Sequence, residues 1–597
     1  MRADMRVTFP AARRRPIAFA VATFASCACA CGAAVAQTRA PPEPPSGWAA
    51  QRPVESRTFM VIAANPLATQ AGDAMLRAGG TAVDAAIAAQ LVLGLVEPQS
   101  SGLGGGAFML VHDGRTRRLI AYDGRETAPA AARPDRFLGA DGAPVAFAEA
   151  TLGGRAVGVP GAVRLLEIAH RRHGRLPWRA LFAPAIALAE QGFAVSPRLH
   201  ALIAAQPQFL PAAGAYFLDA GGRPLAVGAT LRNPAYAATL RRIADEGADA
   251  FYRGAIAQDI VDTVRSAAAN PGDLTLADLA GYRARVRAPV CASYRAYRVC
   301  GMPPPSSGGL TVLQILKLLE PYPMEDMAPA SFWSVHFFSE AGRLAYADRA
   351  VYEADPDFFP APPWLLDPAY LRARSRLITT TGSLGRAAAG EPPAAAKRAR
   401  QLAWGRDASP ELPSTSHLSV VDRYGNAVSM TTSIEAAFGS RLLTRSGFLL
   451  NNELTDFSFA PQDDAGRPVA NRVEPGKRPR SAMAPTIVYD RSGRLYMVTG
   501  SPNGSAIINY VAKTLIGVLD WKLDPQAAND LPNDGSRNGP TELESGTASV
   551  ALAPRLRAMG HDVTIGAQTS GLATIVRTPR GWIGAADPRR EGAVLGD

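Results

Sequence analysis

Ser414-Thr415-Ser416-His417-Leu418-Ser419-Val420-Val421-Asp422-Arg423-Tyr424-Gly425-Asn426-Ala427-Val428 marks an abrupt change in the character of the chain. From His417 to Val421 the residues alternate, Asp422–Asn426 has turn chemistry, and Ala427–Ile434 continues as a partner strand, so the stretch reads as a β-hairpin. Upstream, residues 380–413 are dominated by Ala, Gly, Pro and Arg with little apolar periodicity, and read as an exposed connector. So long a connector inside a folded protein needs a reason. Ser414-Thr415-Ser416-His417 follows it directly. In isolation that hydroxyl cluster reads as decoration on a strand edge. A sharper reading starts from the weakness of a Thr hydroxyl as a nucleophile, which requires a base beside it. The seven His residues are scattered, so no Ser-His-Asp arrangement is apparent. Cleavage before Thr415 would expose its own α-amine, a base with a pKa near ~8.

Working outward, Asn65-Pro66 opens a helix to about Ala78, with Pro in its first turn. Thr81-Ala82-Val83-Asp84 is a near capping box for a second helix to about Leu95, apolar all round and therefore buried. Ser101-Gly102-Leu103-Gly104-Gly105-Gly106-Ala107 contains G-x-G-x-x-A, but it follows a helix and opens a strand (Ala107–His112). That is the reverse of a dinucleotide fingerprint, so it reads as a tight backbone crossing. Residues 160–360 read as helices, including Leu310–Leu319 and Ser331–Glu353, with two short strands flanking the cysteines. Thr486–Tyr489, Leu495–Thr499, Thr574–Arg577 and Trp582–Ala585 are strand candidates. The pattern is a mixed α/β architecture.

The 597 residues are 47% hydrophobic, enough for a large core or for two to four domains. Arg13-Arg14-Arg15, an apolar run from Ile17 to about Ala30, and Ala34-Val35-Ala36 make residues 1–36 a secretory signal, and residues 37–57 a flexible leader. The expected location is periplasmic or secreted; Phe24-Ala25-Ser26-Cys27 only faintly resembles a lipid-attachment site. The signal carries five Arg and one Asp, a charge of +4, so the remainder is nearer +7 than the +11 of the whole chain. No basic run alternates with aromatics, which argues against nucleic acid as a partner. Past the signal only Cys291 and Cys300 remain, and they read as small buried thiols. No metal-ligand spacing and no cofactor motif is present.

The hairpin motif, with Gly447-Phe448-Leu449-Leu450-Asn451-Asn452-Glu453-Leu454-Thr455-Asp456-Phe457, Lys477-Arg478-Pro479, Thr499-Gly500-Ser501-Pro502 and Asp587-Pro588-Arg589, resembles the small subunit of the γ-glutamyltranspeptidases. Gly104–Phe108, Arg125-Glu126-Thr127-Ala128-Pro129, Pro303–Gly309 and Tyr346-Ala347-Asp348-Arg349 match upstream, in order. The resemblance implies an α+β, four-layer αββα sandwich of the N-terminal-nucleophile hydrolase type. It implies a precursor cut between Ser414 and Thr415 into a large subunit (residues 58–414 after signal and leader) and a small catalytic one (415–597), which stay associated as a heterodimer. It gives Thr415 as nucleophile, Ser433 (usually Thr) bonded to it, and Asn503 and Gly504 (usually two Gly) as the oxyanion hole. Arg125 and Ser481 would meet the donor α-carboxylate, and Glu435, Glu453 and Asp456 its ammonium. Ala482 replaces a second Ser. Ser458–Gly476 falls where some members carry a lid. The implied donor is glutathione or another γ-glutamyl amide, and the acceptor water, an amino acid or a dipeptide. The rivals are a glutaryl or cephalosporin-type acylase and an inactive exported binding relative. Retention of Thr415 and of the charged pocket argues against the latter.

Overall fold

The expected hairpin forms at the centre of one of two seven-stranded sheets in the computed structural model, which describes residues 46–206, 211–392, 404–409 and 414–597. The signal, the possible acylation site and residues 37–45 of the leader lie outside the described residues, and at the leader's other end Val54–Ser56 is a sheet strand. In chain order the sheet strands are β1 (Val54–Ser56), β2 (Met60–Ala63), β3 (Gly106–Asp113), β4 (Arg118–Gly124), β5 (Arg285–Arg287), β6 (Val290–Tyr294), β7 (Tyr297–Gly301), β8 (Ser416–Val421), β9 (Ala427–Ser433), β10 (Thr486–Tyr489), β11 (Leu495–Thr499), β12 (Ala573–Thr578), β13 (Gly581–Ala586) and β14 (Ala593–Gly596). One sheet runs β14-β2-β8-β9-β3-β4-β5 and the other β1-β13-β12-β11-β10-β7-β6, antiparallel throughout. The two sheets pack face to face. Helices α1 (Pro66–Arg77) and α2 (Ala82–Val96) cover the outer face of the first; Gly308–Leu319, Ile507–Leu519 and Pro525–Asp530 cover the second. This is the four-layer αββα sandwich.

Both early helices form as their sequences dictate. Asn65 caps α1 and Thr81 with Asp84 closes a capping box on α2, in which 14 of 15 residues are buried. The glycine-rich crossing is real. A Cβ on Gly104 would lie 2.1 Å from the Leu449 carbonyl oxygen and one on Gly105 2.1 Å from that of Ser433.

Each sheet mixes strands from before and after residue 415. In the first, β8, β9 and β14 interleave with β2, β3, β4 and β5; in the second, β10–β13 lie between β1 and β7. Both faces of β8 and β9 are buried. The inner face is partly polar, because Ser419 Oγ donates to the Ala573 carbonyl and Ser429 Oγ to that of Thr499, bolting sheet to sheet.

Two expectations are corrected. Cys291 and Cys300 are not free thiols flanked by strands: they face each other across β6 and β7 and form a disulfide. The connector is not uniformly loose either. Ser383 and Leu384 bond Glu340, the Gly390 N–H bonds Asp348, and Asp407 pairs with Arg480, so its described parts are fastened to the body.

Candidate active site

Antiparallel pairing builds the centre of the site. Ser416 lies opposite Thr432, so the same register sets Thr415 opposite Ser433 at the open end of the hairpin. The two hydroxyls converge on one atom. Thr415 Oγ1 donates to the Ser414 carbonyl oxygen at 2.6 Å and Ser433 Oγ donates to it at 2.9 Å, while the hydroxyls lie 3.5 Å apart. Ser433 Oγ also accepts from the Glu435 N–H at 2.8 Å, which leaves its own proton for the carbonyl. Ser414 is fully buried, its hydroxyl donating to the Gln99 carbonyl at 2.8 Å. The Ser414–Thr415 peptide is thus clamped with two hydroxyls on its carbonyl oxygen.

His417 is no base for this centre. It lies wholly buried between Thr431 Oγ1 at 2.8 Å and Ser419 Oγ at 3.2 Å, and burial pushes its pKa down to about 3. Its ring covers Gly500, where a Cβ would fall 2.2 Å from it, which accounts for the glycine of Thr499-Gly500-Ser501-Pro502.

A pocket opens beside Thr415, lined by Ser433, Glu435, Glu453, Asp456, Ser481, Ala482, Met483, Gly504 and Ile507. Glu453 and Asp456 sit one turn apart on a 3-10 helix, where i and i+3 share a face. Arg125, directly after β4, reaches both, with Nη2 2.5 Å from Asp456 Oδ2 and Nη1 against Glu453 Oε1. Its remaining bonds go to the carbonyls of Pro479 and Arg480. Arg125 therefore stands behind the pocket, its guanidinium engaged by two carboxylates rather than aimed at open space. Glu435 adopts φ +77°, and its carboxylate takes a bond from Asn452 Nδ2. Burial and the neighbouring Asp456 and Glu453 raise Glu435 well above the ordinary carboxylate range; burial also raises Glu453, against the pull of Arg125.

Asn503 has φ +105° and ψ 61°, followed by Gly504 at φ +54°. Asn503 thus takes a left-handed conformation, which Asn tolerates better than most residues. Ser481 belongs to a loop braced from behind: Ser307 Oγ donates to its carbonyl at 2.6 Å and Ser306 Oγ donates to that of Met483 at 2.5 Å. The Pro303–Gly309 motif is this brace, and a Cβ on Gly308 would meet the Met483 carbonyl oxygen at 2.4 Å.

The profile of the gamma-glutamyltranspeptidase family matches residues 68–597. The chain belongs to that family. It is 36% identical to the glutathione hydrolase proenzyme of Bacillus subtilis (strain 168) over 93% of this chain and 94% of the relative. It is 34% identical to the acylase ACY 1 proenzyme of Pseudomonas sp. (strain V22), over 91% and 94% respectively. Among solved structures it resembles a cephalosporin acylase from Bacillus halodurans, with a TM-score of 0.78, 27% identity, and coverage of 92% of this chain and 97% of that one.

All the expected γ-glutamyltranspeptidase site residues except Arg125 and Asn503 line the one pocket; Arg125 pairs with the lining Glu453 and Asp456, and Asn503 immediately precedes the lining Gly504. No residue of Ser458–Gly476 lines it. That segment is anchored to the body by Phe459, stacked on Phe137 at 4.7 Å and Phe147 at 5.6 Å. Sequence reading missed Met483 and Ile507, which make an apolar wall, and Glu126. Glu126 is fully buried 3.9 Å from Arg125 and raised well above the ordinary range by burial and by Glu453. Only Glu126 had a signal, its place next to Arg125.

Proposed function

We propose that the chain is an exported precursor that cleaves itself between Ser414 and Thr415, then transfers γ-glutamyl groups from glutathione and related amides. The convergence of the Thr415 and Ser433 hydroxyls on the Ser414 carbonyl carries this reading. Thr415 Oγ1 attacks the Ser414 carbonyl carbon, its proton passing to the Thr415 nitrogen. The C–N bond breaks, leaving an ester that water hydrolyses. Ser433 stabilises the developing oxyanion. The products are a large subunit ending at Ser414 and a small one of residues 415–597, held together by the interleaved sheets. The freed α-amine then serves as base for Thr415 Oγ1 against the γ-amide carbonyl of the donor, with Asn503 and Gly504 N–H groups receiving the oxyanion. The γ-glutamyl ester passes to water, an amino acid or a dipeptide.

The pocket sets three carboxylates, Glu435, Glu453 and Asp456, against one guanidinium. That surplus suits a donor ammonium, and the donor α-carboxylate draws Arg125 away from its resting partners, with Ser481 beside it. A glutaryl donor has the carboxylate without the ammonium, so it leaves those acids without the charged partner they are placed to bind. Losing one charged hydrogen bond costs about 1.5–3 kcal/mol, or about 10- to 100-fold in kcat/KM. The test compares γ-glutamyl and glutaryl amides of one leaving group. The γ-glutamyl compound is expected to win by that margin, and Asp456→Asn to narrow the gap mainly by harming it. Equal kcat/KM would move the protein to the acylases.

A further inference from the structure

The nucleophile is gripped from behind by a cation outside the donor pocket. Arg590, 2% exposed, donates from Nη1 to the Thr415 carbonyl oxygen at 3.1 Å. Its neighbour Arg589 is committed elsewhere, to Glu544 at 2.6 and 2.8 Å. On the same side of the strand, Glu97 accepts from Ser416 Oγ at 3.0 Å and lies 3.5 Å from Arg198, whose N–H bonds Glu591 at 2.7 Å. The buried Arg198, Arg590 and Glu97, with the half-buried Glu591 on the Arg198 backbone N–H, thus form a charged layer behind residues 415 and 416.

Cleavage frees the Thr415 nitrogen from the chain, so the residue is then tethered on one side only. Its amine direction depends on ψ, and a strong bond at the carbonyl oxygen fixes ψ. Covalent geometry puts the α-nitrogen no more than about 7 Å from the guanidinium. A positive charge at that range disfavours the ammonium form of the amine and so favours the base. We infer that Arg590 is a positioning residue for Thr415: its bond orients the α-amine toward Oγ1, and its charge keeps that amine unprotonated. This rests on Thr415 being the nucleophile. The charged groups facing the amine are Glu97, Arg198, Arg590 and Glu591 behind, and Glu435, Glu453, Asp456 and Arg125 on the pocket side. Removing Arg590 takes away the positive charge nearest the amine; Glu97, which Arg590 also helps keep ionised, can take up part of a proton in response, which screens the change without reversing it.

The test is the pH profile of kcat/KM for a γ-glutamyl anilide with fully cleaved enzyme. A unit charge ~6 Å away, at an effective dielectric constant between about 20 and 80, corresponds to about 0.5–2 pH units. Arg590→Met should move the acidic limb upward by that amount and lower kcat. Arg590→Lys keeps the charge, so its limb should stay in place while kcat falls and KM holds. Coincident profiles for parent and Arg590→Met would overturn the inference. Should Arg590→Met remain uncleaved, a 15N-threonine NMR titration of the cleaved parent decides. An α-amine titrating below the ordinary ~7.7–8.0 is expected, and one at or above it would overturn the inference. Turnover surviving in Thr415→Ala is a different result, removing the nucleophile assignment itself.

Discussion

In the proposed mechanism the single hydroxyl of Thr415 carries two tasks, cutting its own chain and later opening the donor amide. Thr415→Ala is therefore expected to stay intact on a denaturing gel and to show no turnover. Ser433→Ala removes one hydrogen bond to the attacked carbonyl, worth about 0.5–1.5 kcal/mol, so both maturation and turnover should slow by about 2- to 10-fold with the fold retained. The acids of the pocket give a second expectation. Burial raises Glu435 and Glu453 above the ordinary carboxylate range. A bound ammonium stabilises their ionised forms, so donor binding releases protons and tightens as pH rises through their titration. Calorimetry in two buffers of different ionisation enthalpy checks this, and a buffer-independent heat would contradict it. Thr415 was legible because it stands where the connector ends and the hairpin begins; Ser433 came from the family resemblance, and the hairpin register supplies the physical reason that it meets Thr415. Arg590 and Glu97 were not legible, because their meeting with Thr415 and Ser416 depends on contacts spanning 175 and 319 positions.

Among the elements, those with local causes were readable: the capped α1 and α2, the β8–β9 hairpin and the glycine crossing all form within a residue or two of expectation. The Cys291–Cys300 bond was not, since pairing across β6 and β7 is a matter of register between strands only five residues long. The final strand matters more than its length suggests. β14 covers the outer edge of β2, the neighbour of β8, and the Asp597 side chain accepts from the Thr58 N–H at 2.9 Å and from Thr58 Oγ1 at 2.6 Å. Deleting residues 593–597 uncovers that edge and removes the Asp597 bonds, each worth about 1 kcal/mol. The expected outcome is a lower Tm and slower cleavage at Thr415, since β2 holds β8 in place. An unchanged Tm would show that the strand is dispensable.

Over the whole molecule, distant segments are joined by buried polar groups that no local pattern announces. His336 and His561, scattered in the sequence, meet beside Glu340. His336 Nε2 donates to the Thr379 carbonyl at 2.7 Å, so its Nδ1 accepts from His561 Nε2 at 2.8 Å, and His561 Nδ1 accepts from Thr541 Oγ1 at 2.7 Å. All four ring nitrogens are thus spent on protein partners. Burial and the neighbouring charges lower His561 to about 4. With an unfolded value near ~6.5, the unfolded chain binds the proton more readily, so stability is full above about 6.5 and is lost as pH falls toward 4. Thermal unfolding across that window should show the loss, and His561→Gln should flatten it. The interleaved sheets would hold together a chain cut between Ser414 and Thr415, and that proposed cut is the claim on which the catalytic account stands. N-terminal sequencing of the smaller band from purified mature protein tests it most directly. Thr-Ser-His-Leu-Ser, beginning at Thr415, is the expected result, with both bands eluting together before denaturation. A single intact chain with full activity would contradict it.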